Sequence, residues 1–199
     1  RKWCKRHGYN FSSDKADEIY TEARDLIAML PKDAMTKLLV QQAIEALNAV
    51  STAQARLKAE MLKLASQLPE FPVVMAMRGV GESLGPQLMA EIGDVTRFPH
   101  RGSITAFAGV DPGANQSGSH ESQSVNTSKS GPPELRKALF LVMDCLLKTM
   151  PQDDPVYRFM DKKRSEGKPY LVYMTAGANK FLRVYYGKVK EYLSQLENL

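Results

Sequence analysis

The chain has 199 residues, of which 43% are hydrophobic and 25% charged, and its formal net charge is +5. These values are typical of a globular protein of one or two domains, and the mild positive charge is compatible with a nucleic-acid partner. Two distant cysteines and three histidines exclude a disulfide framework and form no metal-ligand spacing. Because the sequence shows no signal peptide and no membrane-spanning run, we expect a cytoplasmic location and no membrane partner.

The N-terminal region is predicted to be helical. Ser13 or Asp14 can cap a helix that runs to about Leu30, and a second helix is expected from Asp33 to Leu68. Apolar residues in the second helix recur in steps of three and four: Val40, Ala43, Leu47, Val50, Leu57, Met61, Leu64 and Leu68. This heptad pattern favours an antiparallel hairpin or a coiled coil that makes a homo-oligomer, and a plain core helix is the alternative.

A Gly-Val-Gly stretch between two apolar helices is a candidate phosphate site. The flanking helices are predicted at residues 72–77 and 83–92. Two glycines around a small apolar residue let successive backbone N–H groups point at an anion, as in a helix-hairpin-helix element. The candidate nucleic-acid contacts are Arg78, Gly79, Val80 and Gly81, and a purely structural turn is the alternative.

The longest segment without apolar periodicity runs from Gly109 to Arg136 and is rich in Ser and Gly. Loops of this length within a compact domain are usually functional or disordered. A hydroxyl can act as a nucleophile, and Lys129 and Arg136 can neutralise phosphate charge. Arg136 lies in the first turn of a helix opened by two prolines, so its side chain can reach back over the loop. Weak alternation over residues 117–125 allows a short β-hairpin, and a solvated loop is the alternative.

The C-terminal third is the most basic part of the chain. From Pro155 to Lys190 there are nine Lys or Arg residues and two acids, a local charge of +7. We therefore expect nucleic-acid contacts from Lys162, Lys163, Arg164, Lys180 and Arg183, although solvated helix faces often carry such charge. The acidic pair Asp153 and Asp154 precedes a proline, which favours helix capping over a metal site.

These patterns predict a mainly α protein in two parts. Residues 1–68 form a helical hairpin or coiled coil, and residues 69–199 form a compact helical domain. That domain contains the helix-hairpin-helix-like element and the long Ser/Gly loop.

The order of short motifs in residues 70–190 resembles a known family. The motifs are Gly79-Val80-Gly81, Glu91-Ile92-Gly93-Asp94, Phe98, Ala106-Phe107-Ala108-Gly109, Pro112, Gln116-Ser117-Gly118, Ser128-Lys129-Ser130-Gly131 and Leu135-Arg136-Lys137-Ala138-Leu139. In this order they resemble the C-terminal domain of the insertion-sequence-110, 116 and 902 transposases, which are bridge-RNA-guided recombinases. Pro132 and Pro133 depart from the family pattern at the mouth of the loop.

The resemblance implies a DNA recombinase with a serine nucleophile. In the family, the nucleophile stands in the Ser-Gly pair after a Gly-x-x-Pro turn, which here is Ser117, with Ser119 as the nearby alternative. Lys129 and Arg136 would support it by stabilising charge. The resemblance also implies a separate RNase-H-like domain that holds Mg²⁺ through four acids, and a guide RNA. We expect no cofactor in this chain and no DNA cleavage by this chain alone.

Two other functions remain open on the sequence. One is a non-catalytic module that binds DNA through the hairpin and oligomerises through the coiled coil. The other is a helix-hairpin-helix base-excision glycosylase with Asp111 as its catalytic acid, although the Lys or Arg pattern of that family is missing.

Overall fold

The computed structural model describes residues 12–27, 31, 33–111 and 127–198, with only the backbone described at residues 25–27. The chain divides into two compact units, Arg1–Ala55 and Arg56–Leu199, and the boundary falls within one long helix. The division after residue 68 that the sequence suggested stays a prediction.

The described part of the N-terminal region contains two helices. Helix α1 covers Ser13–Ile27, and helix α2 covers Ala34–Ala65. The expected cap at Ser13 or Asp14 is wrong by one residue, because Ser12 Oγ accepts the Lys15 N–H at 3.3 Å. Asp33 Oδ1 accepts the Thr36 N–H at 2.7 Å, so α2 begins where it was predicted to begin.

Helix α2 ends earlier than expected. The sequence predicted an end near Leu68, but the helix ends at Ala65. The N–H groups of Gln67 and Leu68 bond to the carbonyls of Leu64 and Ala65, three residues back, and this tighter bonding closes the helix.

The apolar seam of α2 faces solvent. Leu47, Val50, Leu57 and Leu64 are 65%, 67%, 66% and 63% exposed, and the remaining seam positions are also exposed. A plain core helix would bury such residues, so that alternative does not describe this seam.

The second unit is a helical domain. Its elements are α3 (Phe71–Met75), α4 (Leu84–Ile92), a 3₁₀ turn (Val95–Arg97), α5 (Arg101–Ala108), α6 (Pro133–Thr149), α7 (Pro155–Ser165) and α8 (Tyr170–Glu197). The predicted mainly α fold, with a long helix before a compact helical domain, is confirmed, and the described residues contain no β-strand. The β-hairpin considered for residues 117–125 lies outside the described residues.

Helices α6 and α8 form the centre of this domain. Residues with almost no exposure line both helices: Leu135, Leu139, Val142, Met143, Leu146, Phe181, Leu182, Tyr185 and Val189. A Cβ added to Gly177 of α8 would lie 2.6 Å from Met160 Sδ of α7 and 2.9 Å from Met143 Sδ of α6. The absence of a side chain at Gly177 therefore lets three helices pack closely.

The first residues of several helices are fixed by polar side chains. Asp154 Oδ1 accepts the N–H groups of Val156 and Tyr157 at 2.8 Å each, which confirms the predicted cap of α7. His100 Nδ1 accepts the Gly102 N–H at 3.1 Å and caps α5. Pro133 occupies the first turn of α6, as predicted.

Among the described residues, no helix combines the length and apolarity needed to cross a membrane.

Candidate functional site

The two ends of the Ser/Gly loop lie side by side and form a stem. We use this name for residues 109–111 together with residues 127–131. The Ser128 N–H donates to the Asp111 carbonyl at 3.2 Å, and the Lys129 N–H donates to the Gly109 carbonyl at 3.1 Å. The stem therefore fixes the points at which the chain enters and leaves residues 112–126.

Two glycines permit this close approach. Gly109 has φ +65°, and a Cβ added to it would lie 2.8 Å from the Ser130 nitrogen. A Cβ added to Gly131 would overlap the Phe107 carbonyl oxygen. Backbone therefore packs directly on backbone across the stem, and larger residues would force its two sides apart.

A polar cluster lies at the open end of the stem. Ser128 Oγ donates to Asp111 Oδ1 at 2.8 Å and lies 3.3 Å from Ser130 Oγ. Lys129, between the two serines, is exposed and has φ +51°, which is uncommon for a residue with a side chain. The stem thus holds a strained backbone conformation at Lys129, the lysine predicted to bind phosphate.

Arg136 joins α6 to both sides of the stem. Its half-buried side chain donates through Nη1 to the Gly131 carbonyl and, at 3.4 Å, to the Ala108 carbonyl. The side chain therefore reaches back to the base of the loop, as its place in the first turn of α6 predicted. Its role in charge stabilisation stays a prediction, because its described partners are backbone carbonyls.

Asn179 was not identified from the sequence as part of the site. Its Nδ2 donates to the Val110 carbonyl at 3.3 Å and so connects α8 to the stem. The sequence could not predict this contact, because a single Asn within a helix has no distinctive pattern and its partner lies 69 positions away.

The predicted nucleophile, Ser117, and its alternative, Ser119, lie outside the described residues. The structure therefore describes Lys129 and Arg136, the two residues predicted to support the nucleophile. The assignment of the serine itself stays a prediction.

The Gly-Val-Gly hairpin connects α3 to α4 and contains one glycine with a structural role. Gly79 has φ +77°, and a Cβ added to it would lie 3.0 Å from the Val142 carbonyl oxygen and 3.1 Å from Leu146. Gly81 is exposed, and a Cβ added there would meet nothing within 4 Å. Packing against α6 therefore accounts for the first glycine and leaves the second available for close approach by a ligand.

Arg78 of the hairpin is paired with an acid. Its Nη2 lies 3.0 Å from Asp153 Oδ2, and both side chains are mostly exposed. The hydrogen bond from Arg78 holds the pKa of Asp153 below its ordinary value. A cleft of about 180 Å³ lies beside this pair and is lined by residues that include Lys188 and Phe181 of α8. The charges around the cleft are therefore of both signs.

The basic residues of α7 are partly neutralised. Lys163 Nζ lies 2.8 Å from Glu166 Oε2, and Arg164 Nη2 lies 2.7 Å from Asp161 Oδ1. The hydrogen bond from Lys163 lowers the pKa of Glu166. Lys162 is exposed on the same helix, whereas Lys180 and Arg183 lie on α8. In the described part of the chain, no cluster of three or more His, Cys, Asp or Glu residues could hold a metal ion.

Comparison with known proteins adds an independent finding. Residues 72–158, which include the hairpin and the stem, match the family described as the transposase IS116/IS110/IS902 family. The chain is 23% identical over 175 residues to the insertion element IS110 uncharacterized 43.6 kDa protein of Streptomyces coelicolor, covering 88% of this chain and 42% of that protein.

Two further relatives are the pilin gene-inverting proteins of Moraxella bovis and Moraxella lacunata. Each is 26% identical over 113 residues, covering 57% of this chain and 34% of the relative. The chain thus spans less than half the length of the curated relatives that it matches.

Proposed function

This chain carries a domain of the transposase IS116/IS110/IS902 family, and from that premise we propose that it takes part in DNA strand exchange through a serine nucleophile. Its membership relates it to DNA transposition. The Moraxella relatives are named for inverting a gene, and inversion also requires that DNA strands be cut and rejoined. The observation that carries the proposal is the stem, which holds both ends of the Ser-rich loop beside Lys129 and Arg136.

In the proposed step, Ser117 Oγ attacks a phosphorus atom of the DNA backbone. An Oγ–P bond forms, and the P–O bond to one deoxyribose oxygen breaks. The serine proton is lost to solvent or a base, and the leaving oxygen gains a proton. Ser119 is the alternative nucleophile. The reverse attack by a deoxyribose hydroxyl would restore the serine and rejoin the strand.

The described residues have separate roles in this proposal. Lys129 is exposed at the open end of the stem and would neutralise the phosphate that the serine attacks. Arg136 would act chiefly by positioning, because its Nη1 holds the Gly131 and Ala108 carbonyls. Asp111 accepts a hydrogen bond from the Ser128 hydroxyl and would keep the stem closed.

A serine hydroxyl needs activation. The family resemblance implies that Mg²⁺ held by a separate RNase-H-like domain supplies it. A bound Mg²⁺ would lower the pKa of the attacking hydroxyl. A guide RNA and self-association through α2 complete the set of proposed partners.

A non-catalytic binding and oligomerisation module remains the second candidate. The exposed seam of α2 and the open Gly81 of the hairpin favour it. The glycosylase alternative loses support, because the Asp111 carboxylate accepts the Ser128 hydroxyl and the family match indicates a transposase.

The decisive experiment traps the covalent intermediate. A protein extended to the length of its relatives is incubated with DNA, and the modified residue is located by mass spectrometry. We expect an adduct on Ser117 and its loss, with DNA binding retained, in a Ser117→Ala variant. Lys129→Ala should slow strand exchange about 10²–10³-fold if it resembles the loss of one oxyanion donor.

The controls separate the candidates. An adduct on Ser119 would correct the residue and keep the mechanism. Full recombination by the Ser117→Ala, Ser119→Ala double variant would refute the serine mechanism and leave the binding module.

A further inference from the structure

We propose that one exposed face of α8 binds the phosphate backbone of duplex DNA. We call this face the α8 ridge, and it consists of Ala176, Lys180, Arg183, Gly187, Lys190 and Ser194, of which Ala176 and Lys180 are partly buried and the others exposed. The inference rests on the proposed function in one respect only, which is that DNA is the partner. It selects one helix from the broad basic region and adds Gly187 and Lys190 to the candidate contacts.

The ridge is a continuous row on one side of the helix. Its members follow each other at intervals of four and three residues, the spacing that returns to the same side of an α-helix. The opposite side carries the buried residues Phe181, Leu182, Tyr185 and Val189. At about 1.5 Å per residue, Lys180 and Lys190 are separated by about 15 Å along the axis.

The cations of the ridge differ from Lys163 and Arg164 of α7 in their partners. Lys163 and Arg164 of α7 each pair with an acid at 2.8 and 2.7 Å. Lys180 and Arg183 form no ion pair with any residue that the structure describes, and the ridge itself contains no acid. Lys190 is held by a 3.0 Å hydrogen bond to the Tyr186 hydroxyl, which leaves its charge unneutralised. Ridge cations can therefore bind phosphate without first breaking an internal ion pair.

Two hydrogen bonds hold the ridge in place, one to the stem and one to the residue that follows the 3₁₀ turn. Asn179, next to Lys180, donates to the Val110 carbonyl of the stem at 3.3 Å. Tyr186, next to Gly187, donates to the Phe98 carbonyl at 3.0 Å. A DNA backbone that follows the ridge toward its N-terminal end is therefore directed to the stem.

The composition of the ridge favours a duplex over a single strand. Proteins that bind single strands stack bases on aromatic side chains, and no member of the ridge is aromatic. A Cβ added to Gly187 would meet nothing within 4 Å, so the helix backbone there is open to close approach. Small residues interleaved with cations suit the edge of a B-form groove, which is wide enough to admit an α-helix.

The experiment compares two double variants with equal loss of charge. Lys180→Gln, Arg183→Gln removes two ridge cations, and Lys163→Gln, Arg164→Gln removes two paired cations of α7. Binding of random-sequence duplex DNA is measured over a range of salt concentrations. We expect the ridge variant to reduce the slope of log K against log salt by about 2, since each lost phosphate contact contributes about 0.9. The α7 variant should change the slope by less than half as much.

A Gly187→Glu variant places a carboxylate on the ridge and should weaken duplex binding, with circular dichroism confirming an intact fold. Equal slopes for the two double variants, or no effect of Gly187→Glu, would overturn the proposal. Losses confined to single-stranded DNA or to RNA would also overturn it, because the partner would be different. Adduct formation on Ser117 is a separate readout, so a failure of the ridge and a failure of the serine mechanism are distinguishable.

Discussion

At the scale of single residues, the two hairpin glycines have different physical reasons to be glycine. Gly79 combines a positive φ with an added-Cβ distance of 3.0 Å to the Val142 carbonyl oxygen. Gly81 has open space around it and no positive φ. The Gly-Val-Gly sequence suggested that both glycines share a role in phosphate binding. In the structure, Gly79 is required by packing against α6, whereas Gly81 is a surface position.

We predict that Gly79→Ala destabilises the domain and that Gly81→Ala does not. A side chain at positive φ costs roughly 1–2 kcal/mol, and contact with α6 adds to that cost. At Gly81 the change should be neutral or stabilising by up to about 1 kcal/mol, because alanine restricts the unfolded chain. Denaturant unfolding of both variants measures the difference. Equal stability of the two variants would contradict the packing role of Gly79.

At the scale of elements, the hairpin and the start of α7 are linked by the ion pair between Arg78 and Asp153. The pair is exposed, and exposed pairs contribute little to stability. Arg78 is also the hairpin cation predicted to bind phosphate, and this ion pair engages its guanidinium. A DNA phosphate and the Asp153 carboxylate would therefore compete for the same guanidinium.

We predict that Asp153→Asn strengthens duplex DNA binding and steepens its salt dependence by up to about 0.9, the contribution of one phosphate contact. Asp144→Asn is the matched control, because Asp144 pairs with Lys148 at 2.6 Å and its loss changes the net charge equally. Titration with labelled duplex DNA measures both variants. If both strengthen binding equally, net charge explains the effect and Arg78 is not a phosphate contact.

The elements themselves were largely predictable, and their long-range contacts were not. Apolar periodicity and prolines located the helices, since both act within a few residues. Helix α2 ended three residues early because the N–H groups of Gln67 and Leu68 bond to carbonyls three residues back instead of four. No residue type in the sequence indicates this change of hydrogen bonding. The stem could not be predicted, because the packing of Gly109 on Ser130 and the bond from Asn179 to Val110 join distant segments without a repeating pattern.

At the scale of the whole molecule, the exposed seam of α2 predicts self-association. We expect Leu57→Asp, Leu64→Asp to give a smaller species than the wild type in analytical ultracentrifugation, because both leucines are about two thirds exposed and lie on the heptad seam. Thr52→Asp, Ala55→Asp is the control, since it adds the same charge away from the seam. A wild-type chain that sediments as a monomer at high concentration would show that the seam does not join two copies.

Because the stem joins the two ends of the loop, the loop can vary in length at little cost in free energy. The described contacts that close the stem are two backbone hydrogen bonds, the hydrogen bond from Ser128 to Asp111, and the close packing at Gly109 and Gly131. When the two ends of a loop are already held together, doubling its length costs only about 0.6 kcal/mol in closure entropy. We therefore expect the stem to accept inserted segments of different length between its two ends, with a closure cost that grows only slowly with length.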